Sequence, residues 1–152
     1  MTRSISRRSG FTLIEILIVI AIISILSSVA IVGLPKIGGK GRDARRVSDM
    51  RQVQTALELY FTKNGNYPNV STWTALNNEL IDPTRGVGIS GIPNDPRNAT
   101  PYLYTYAVAS PGLSSYVLKA VLEDTSNPAL NGDLDGTILT VDCADPAYCV
   151  SL

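Results

Sequence analysis

The stretch Arg7-Arg8-Ser9-Gly10-Phe11-Thr12-Leu13-Ile14-Glu15 and the apolar run that follows it decide the fold of this chain. From residue 11 to residue 34 the side chains are mostly isoleucine, leucine, valine and alanine, and the single charged one is Glu15. At the ~1.5 Å rise of an α-helix this run extends over about 36 Å, more than the roughly 30 Å of a hydrocarbon layer. The sequence therefore predicts a transmembrane helix over residues 11–34.

The charges that flank this run predict its orientation. Arg3, Arg7 and Arg8 precede it, and no acidic residue does. Since positively charged flanks stay on the cytoplasmic side, we expect residues 1–10 in the cytoplasm. The C-terminal part would then lie outside the cytoplasmic membrane, as the head of a single-pass protein.

Glu15 is the anomaly of the run. A carboxylate inside a membrane segment costs about 2.5–3.5 kcal/mol on insertion scales, and such groups normally have a function and a partner. No group within the run is expected to pair with it. We therefore expect its partner to come from elsewhere.

The basic leader, Gly10, the Phe11-Thr12-Leu13-Ile14-Glu15 sequence and the apolar helix resemble the N-terminus of a type IV prepilin or a type II secretion pseudopilin. The resemblance implies cleavage of the leader 1–10 after Gly10 by a prepilin peptidase and methylation of Phe11 as the new N-terminus. It also implies that Glu15 neutralises the N-terminal ammonium of a neighbouring subunit in a helical homo-oligomeric filament. Two buried opposite charges are tolerable only as such a pair. An inner-membrane assembly platform and ATPase-driven machinery are the further implied partners.

Other processing routes make different predictions for the same stretch. A secretory signal peptide has an apolar core of about 7–15 residues and a small-residue cleavage site, for which Ser28-Val29-Ala30 could serve. The run before that site is too long and contains Glu15. A plain signal anchor explains length and orientation but leaves Glu15 unexplained. A membrane-anchored or secreted binding module stays open as a different class of function.

Composition bounds the remaining classes. The chain has 152 residues, 13 basic and 13 acidic side chains and no histidine. This length predicts one domain on a stalk. The lack of histidine excludes the usual zinc chemistry and histidine-based triads. Since no nucleophile–base pair or phosphate loop is visible either, we expect a structural subunit and not an enzyme.

Two helical segments are predicted before residue 64. Gly33, Pro35 and the Gly38-Gly39-Lys40-Gly41 sequence disfavour helix, so we expect a kink or an unwound link over residues 33–41. Apolar residues then recur at spacings of three and four, which predicts an amphipathic helix to Asn64. The stripe consists of Val47, Met50, Val53, Leu57, Tyr60 and Phe61.

Arginines occupy the rest of this second helix. Arg42, Arg45, Arg46 and Arg51 mostly lie off the apolar stripe, where they could contact DNA or acidic lipid. Because one helix face with a few arginines is ordinarily solvated, we favour that reading. Nucleic acid is therefore not an expected partner.

The rest of the head reads as a small sheet preceded by loops. A short helix is predicted over residues 72–80, and frequent prolines and glycines exclude long elements up to Pro101. Residues 102–108, 115–122 and 137–141 read as antiparallel strands that pack on the amphipathic helix. The predicted class is α+β, as in the pilin fold. Its parts are the leader 1–10, the membrane helix 11–34, the linker and helix 35–64, and the loop and sheet region 65–152.

An acidic loop near the C-terminus suggests a calcium site. Asn131, Asp133 and Asp135 alternate before Gly136, and Asp142 falls at the twelfth position, as in a calcium-binding loop. Asn131 replaces the usual first aspartate, and the residues that follow read as strand, so a polar turn between strands remains the alternative. The family resemblance adds that major pseudopilins bind calcium in acidic loops near the C-terminus.

Cys143 and Cys149 are the only cysteines. An exported head lies in an oxidising compartment, where a disulfide is expected, although two buried free thiols are the alternative. A type IV pilus subunit for adhesion, motility or DNA uptake is the first prediction, because such pilins often have a C-terminal disulfide. The major pseudopilin of a type II secretion system, favoured by the acidic loop, is the alternative.

Overall fold

The computed structural model describes residues 10–152, and for residues 29–36 it describes the backbone alone. The predicted leader therefore lies outside the described residues except for Gly10. The chain divides into two compact units, residues 1–38 and residues 39–152.

The first helix, α1, extends from Leu13 to Asn64 without interruption. The prediction of an unwound link over residues 33–41 is wrong. Intrinsic propensity is a weak local preference, and elongation of an existing helix adds a hydrogen bond per residue, whereas a new helix requires a costly nucleus. The glycines and Pro35 therefore do not end α1.

Residues 11–28 of the first unit are all exposed. In the part of the chain whose side chains are described, no helix has both the length and the hydropathy of a membrane crossing. The predicted span 11–34 extends into residues 29–36, whose side chains lie outside that part.

The second unit has the predicted α+β arrangement. The helix α2 (Trp73–Ile81) precedes the strands β1 (Thr105–Val108) and β2 (Tyr116–Val121). A 3-10 helix (Pro128–Asn131) and the strands β3 (Thr137–Ile138), β4 (Val141–Asp142) and β5 (Ala147–Ser151) follow. β1, β2 and β5 form an antiparallel sheet in that order, and β3 and β4 form a hairpin.

The helical stripe covers one face of the sheet. Met50, Val53 and Leu57 of α1 are fully buried in the same cluster as Tyr106 of β1 and Leu118 of β2. This confirms that the amphipathic part of the helix packs on the strands, as the three- and four-residue spacing predicts.

The opposite face of the sheet carries a second cluster, which contains Val117, Val141, Cys143 and Cys149. The two cysteines form a disulfide with their Cα atoms 5.8 Å apart, which confirms the predicted bridge. The predicted strand 137–141 is instead the hairpin β3–β4. Leu139 and Thr140 at its turn have φ angles of 47° and 72°, which a continuous strand cannot contain.

A buried ion cluster connects α1 to two loops. The guanidinium of Arg46 is fully buried and contacts carboxylates of Asp43, Asp95 and Glu123. Asp43 also accepts hydrogen bonds from the backbone N–H groups of Glu123 and Asp124, both at 2.9 Å. The prediction that the arginines form a solvated face is thus wrong for Arg46, because its partners Asp95 and Glu123 come from distant loops.

Candidate assembly site and acidic loop

The N-terminus of α1 is capped by a reciprocal pair of residues. The N–H and the hydroxyl of Thr12 donate hydrogen bonds of 2.8 and 2.6 Å to Oε2 of Glu15. In return the N–H of Glu15 donates to Oγ1 of Thr12 at 3.4 Å. This is a capping box, in which the first helical turn satisfies its own free donors.

The capping box corrects the expectation that Glu15 has no partner within its own segment. It does not test the expectation that an opposite charge from a neighbouring subunit neutralises Glu15. Glu15 does find a partner within its own segment, and the Thr-x-x-Glu spacing is the sequence signal that could have revealed it. Thr12 is neutral, however, so the carboxylate gains hydrogen bonds without an opposite charge. Glu15 lies one helical turn beyond the Gly10–Phe11 bond, where cleavage would create an ammonium group.

The helix that follows exposes apolar side chains on every side. Leu13, Ile16, Leu17 and Ile20 are each more than half exposed, and Phe11 is 85% exposed. A helix that is apolar all round is stable only when something covers it, either lipid or other protein. This surface can therefore pack against lipid or against neighbouring helices.

The acidic loop brings together a set of carboxylates that differs from the predicted one. Oxygen atoms of Asp133, Asp135 and Asp145 lie within 4.8 Å of one another. Oδ2 of Asp133 accepts a hydrogen bond from the N–H of Cys149 at 2.8 Å. Its Oδ1 is buried and has no hydrogen-bond partner among the described residues. Burial raises the pKa of Asp133, and the nearby charges of Asp135 and Asp145 add to this effect.

Two predicted ligands lie elsewhere. Asp142 belongs to β4 and is not part of this group, and its Oδ1 accepts from the N–H of Ala144 at 3.1 Å. Asn131 is exposed at the end of the 3-10 helix. Asp145 was missed because it lies outside the loop pattern, in the segment that the disulfide closes. The sequence signal that could have revealed Asp145 is its position between the two cysteines that form the disulfide.

The geometry of the three carboxylates fits a calcium ion. Calcium binds oxygen at about 2.3–2.6 Å, so two ligands of one ion lie at most roughly 5 Å apart. The unpartnered Oδ1 of Asp133 offers a desolvated oxygen that a cation would satisfy. Calcium takes about 6–8 oxygens, so backbone carbonyls or water would complete the shell.

Comparison with known proteins finds similarity to one family pattern and to several curated proteins. The family pattern described as "Prokaryotic N-terminal methylation motif" matches residues 5–31. The chain is 39% identical over 62 residues to "Type II secretion system core protein G" of Aeromonas hydrophila, covering 41% of this chain and 43% of the relative. It is 35% identical over 69 residues to the protein of that name from Escherichia coli K12, covering 45% of this chain and 48% of the relative.

A second kind of relative matches the same extent of chain. "Type IV major pilin protein PilA" of Myxococcus xanthus is 34% identical over 61 residues, which cover 40% of this chain and 28% of that protein. The chain thus spans less than half the length of the curated relatives it matches. No solved structure matches it.

Proposed function

Since the chain belongs, through its N-terminal region, to the family of type IV pilins and type II secretion pseudopilins, we propose that it is a subunit of a type II secretion pseudopilus. A surface type IV pilus is the second candidate. The sequence alone put the pilus first, but most matching relatives are named core protein G of type II secretion, so the order is reversed here.

The observation that carries the proposal is the position of Glu15 between the Gly10–Phe11 bond and an uncovered apolar helix. Cleavage of that bond gives Phe11 a free amine, which is protonated at neutral pH. When two apolar helices pack side by side, a second subunit's Glu15 neutralises this ammonium, and both charges leave water as a pair. The paired charges fix the register, and the apolar contact supplies the cohesion.

The same surface accounts for the state before assembly. In the precursor the run 11–34 holds the chain in the cytoplasmic membrane with the head outside, and the assembled pseudopilus lies in the periplasm. Prepilin peptidase, an inner-membrane platform and an ATPase are the machinery that this route requires. The role is structural and needs no catalytic residue in this chain.

Processing and assembly can be tested together. The full chain is expressed with a prepilin peptidase, and the product is sequenced from its N-terminus. We expect Phe11 as the first residue, and Glu15→Leu should be cut normally yet form no filaments. Glu58→Gln is the matched control, because it removes a carboxylate charge of the same helix outside the N-terminal region and keeps an oxygen that accepts from Tyr67 and Tyr116. Normal polymerisation of Glu15→Leu, or an uncut leader in the wild-type chain, would refute the proposal.

The two filament types are separated by the phenotype of a deletion strain. Loss of this chain should leave exported proteins in the periplasm and leave long surface fibres unchanged in electron micrographs. The opposite pattern, with fibres lost and secretion intact, would favour the type IV pilus.

We also propose that Asp133, Asp135 and Asp145 bind calcium in the head. The support is their mutual proximity and the unpartnered oxygen of Asp133. Titration of the full chain in detergent micelles with calcium chloride should release or absorb heat and raise the melting temperature. Asp145→Asn should weaken binding about tenfold or more, because the affinity depends on the number of charged ligands. Asp142→Asn is the matched control, and an equal loss in both variants would contradict this ligand set.

A further inference from the structure

The strand β1 presents an unpaired edge. It is the outer strand of the sheet order β1-β2-β5, and within residues 10–152 no strand pairs with its other side. The N–H of Ala109 donates to the carbonyl of Ser115, and the register pairs Ala107 with Val117. Since ladder bonds alternate along an antiparallel pair, the N–H and C=O groups of Tyr106 and Val108 point away from β2.

The opposite edge of the same sheet is closed by the chain itself. The N–H of Cys149 donates to the side chain of Asp133, and the carbonyl of Cys149 accepts from the N–H of Leu134 at 3.2 Å. Edge strands commonly carry a charged residue or a proline that prevents pairing with another chain. The strand Thr105–Val108 contains neither. The β5 edge of the sheet is thus hydrogen-bonded to residues 133 and 134, whereas the β1 edge is open.

The open edge lies in a groove of about 640 Å³. Residues 69–71 and residues 139–142 around the β3–β4 turn also line it. Lys119 and Asp142 both line it, so the groove carries one positive and one negative side chain. These features do not belong to the N-terminal region through which subunits are proposed to assemble.

We propose that this groove binds an extended, net-neutral segment of a partner polypeptide, which adds to the sheet as a strand beside β1. Free N–H and C=O groups recur every second residue along β1, about 6.6 Å apart, and another extended backbone matches this spacing. The carbonyls and Asp142 disfavour phosphate or an anionic lipid headgroup. The opposite charges of Lys119 and Asp142, which both line the groove, complement a segment with one acidic and one basic residue.

The test selects peptides on the full chain held in detergent micelles. A library of random linear octapeptides is the probe, and amide hydrogen exchange is measured with and without the selected peptides. We expect peptides that slow the exchange of the Tyr106 and Val108 amides. Val108→Pro should weaken their binding about tenfold or more, because it removes an outward N–H and leaves a peptide carbonyl unpaired. The variant loses no bond to β2, and its melting temperature checks that the fold is kept.

The peptides themselves provide the matched control. N-methylation of one alternating set of peptide amides should abolish binding, and N-methylation of the other set should not, because only one set faces β1. Loss in both sets, loss in neither, or a library without any enriched peptide would overturn the proposal. Slowed exchange at Tyr106 and Val108 that depends on protein concentration alone would also overturn it, in favour of a second copy.

Discussion

The two units of this chain treat burial in opposite ways. In residues 11–28 the apolar side chains are exposed, with Leu13 at 81%, whereas in residues 39–152 the guanidinium of Arg46 is 0% exposed. The second unit provides its own partners for the buried charge of Arg46. Among the described residues, the apolar helix forms hydrogen bonds only within itself, at its capped end and from the Ser24 and Ser28 hydroxyls to helix carbonyls, so its apolar surface has to be covered by other molecules. The difference suggests that the second unit is built for stability and the first for association.

The buried ion cluster around Arg46 shows how the second unit compensates the burial of charged groups. Burial alone would lower the pKa of Arg46 and raise that of Asp95, but their mutual hydrogen bonds reverse both shifts. Arg46 also lies 4.7 Å from the ring centroid of Tyr102, which Arg97 covers at 4.5 Å. A buried ion cluster gains little over an apolar one, but removing one member leaves uncompensated charges.

The largest effect on the stability of the second unit is therefore expected at Arg46. Arg46→Met keeps an unbranched side chain at this site and leaves Asp43, Asp95 and Glu123 without their shared cation, which should cost about 3–5 kcal/mol. Urea unfolding of the full chain in micelles measures it. Arg45→Met is the control, because Arg45 is 62% exposed and contacts Asp49 at 3.7 Å, so about 1 kcal/mol or less is expected. Equal losses in the two variants would contradict a specific role for the cluster.

A matched pair of leucines tests the comparison directly. Leu118→Ala opens a cavity beside α1 in the core and should lower the free energy of unfolding by about 2–5 kcal/mol. Leu17→Ala makes the same change on the exposed helix and should leave that free energy unchanged within about 0.5 kcal/mol. Destabilisation by Leu17→Ala would show that the second unit depends on the apolar helix.

The sequence predicts the parts whose signal is local. The stripe from Val47 to Phe61, the strands near Thr105–Val108 and Tyr116–Val121, and the disulfide all follow from spacing or composition. The buried Arg46 could not be predicted, because Asp95 lies 49 positions away and Glu123 77 positions away. β5 was missed because Pro146 and two cysteines mask a strand pattern that only pairing with β2 completes.

The candidate site residues also fall into those that a local sequence signal predicts and those that depend on distant parts of the chain. Gly10, Phe11 and Glu15 follow from a contiguous motif, and the capping role of Thr12 was equally visible in its spacing from Glu15. Asp145 depends on the closure of a loop, so a pattern of alternating oxygens along the chain could not include it.

Removal of the disulfide tests how far the stability of the second unit and its calcium affinity depend on the loop that the bridge closes. Replacing Cys143 and Cys149 by alanine frees a short loop, and the chain-entropy relation gives a loss of about 2 kcal/mol. The same loop carries Asp145, so the calcium affinity should fall with it. Denaturant unfolding with and without calcium measures both effects. An unchanged calcium response in the double variant would separate the bridge from the acidic site.

The smallest expected effect is a dependence on acid. The guanidinium of Arg42 lowers the pKa of Glu123 against the effect of burial, and together with Arg46 it holds this pKa at about 2. A carboxyl whose pKa is lower in the folded state stabilises the fold fully above its unfolded value of 4.5, and this contribution is lost as the pH falls from there towards 2. Because Arg42 is partly exposed, we expect about 1–2 kcal/mol after solvent screening.

Glu123→Gln should accordingly flatten the stability profile below pH 4.5 while changing it little in shape above pH 5. Arg42→Gln should move the titration of the Glu123 carboxyl upwards, which carbon NMR of that group detects. If Glu123 titrates in its ordinary range in the wild-type chain, the cluster does not hold the loop at residues 122–124 in the way its contacts indicate.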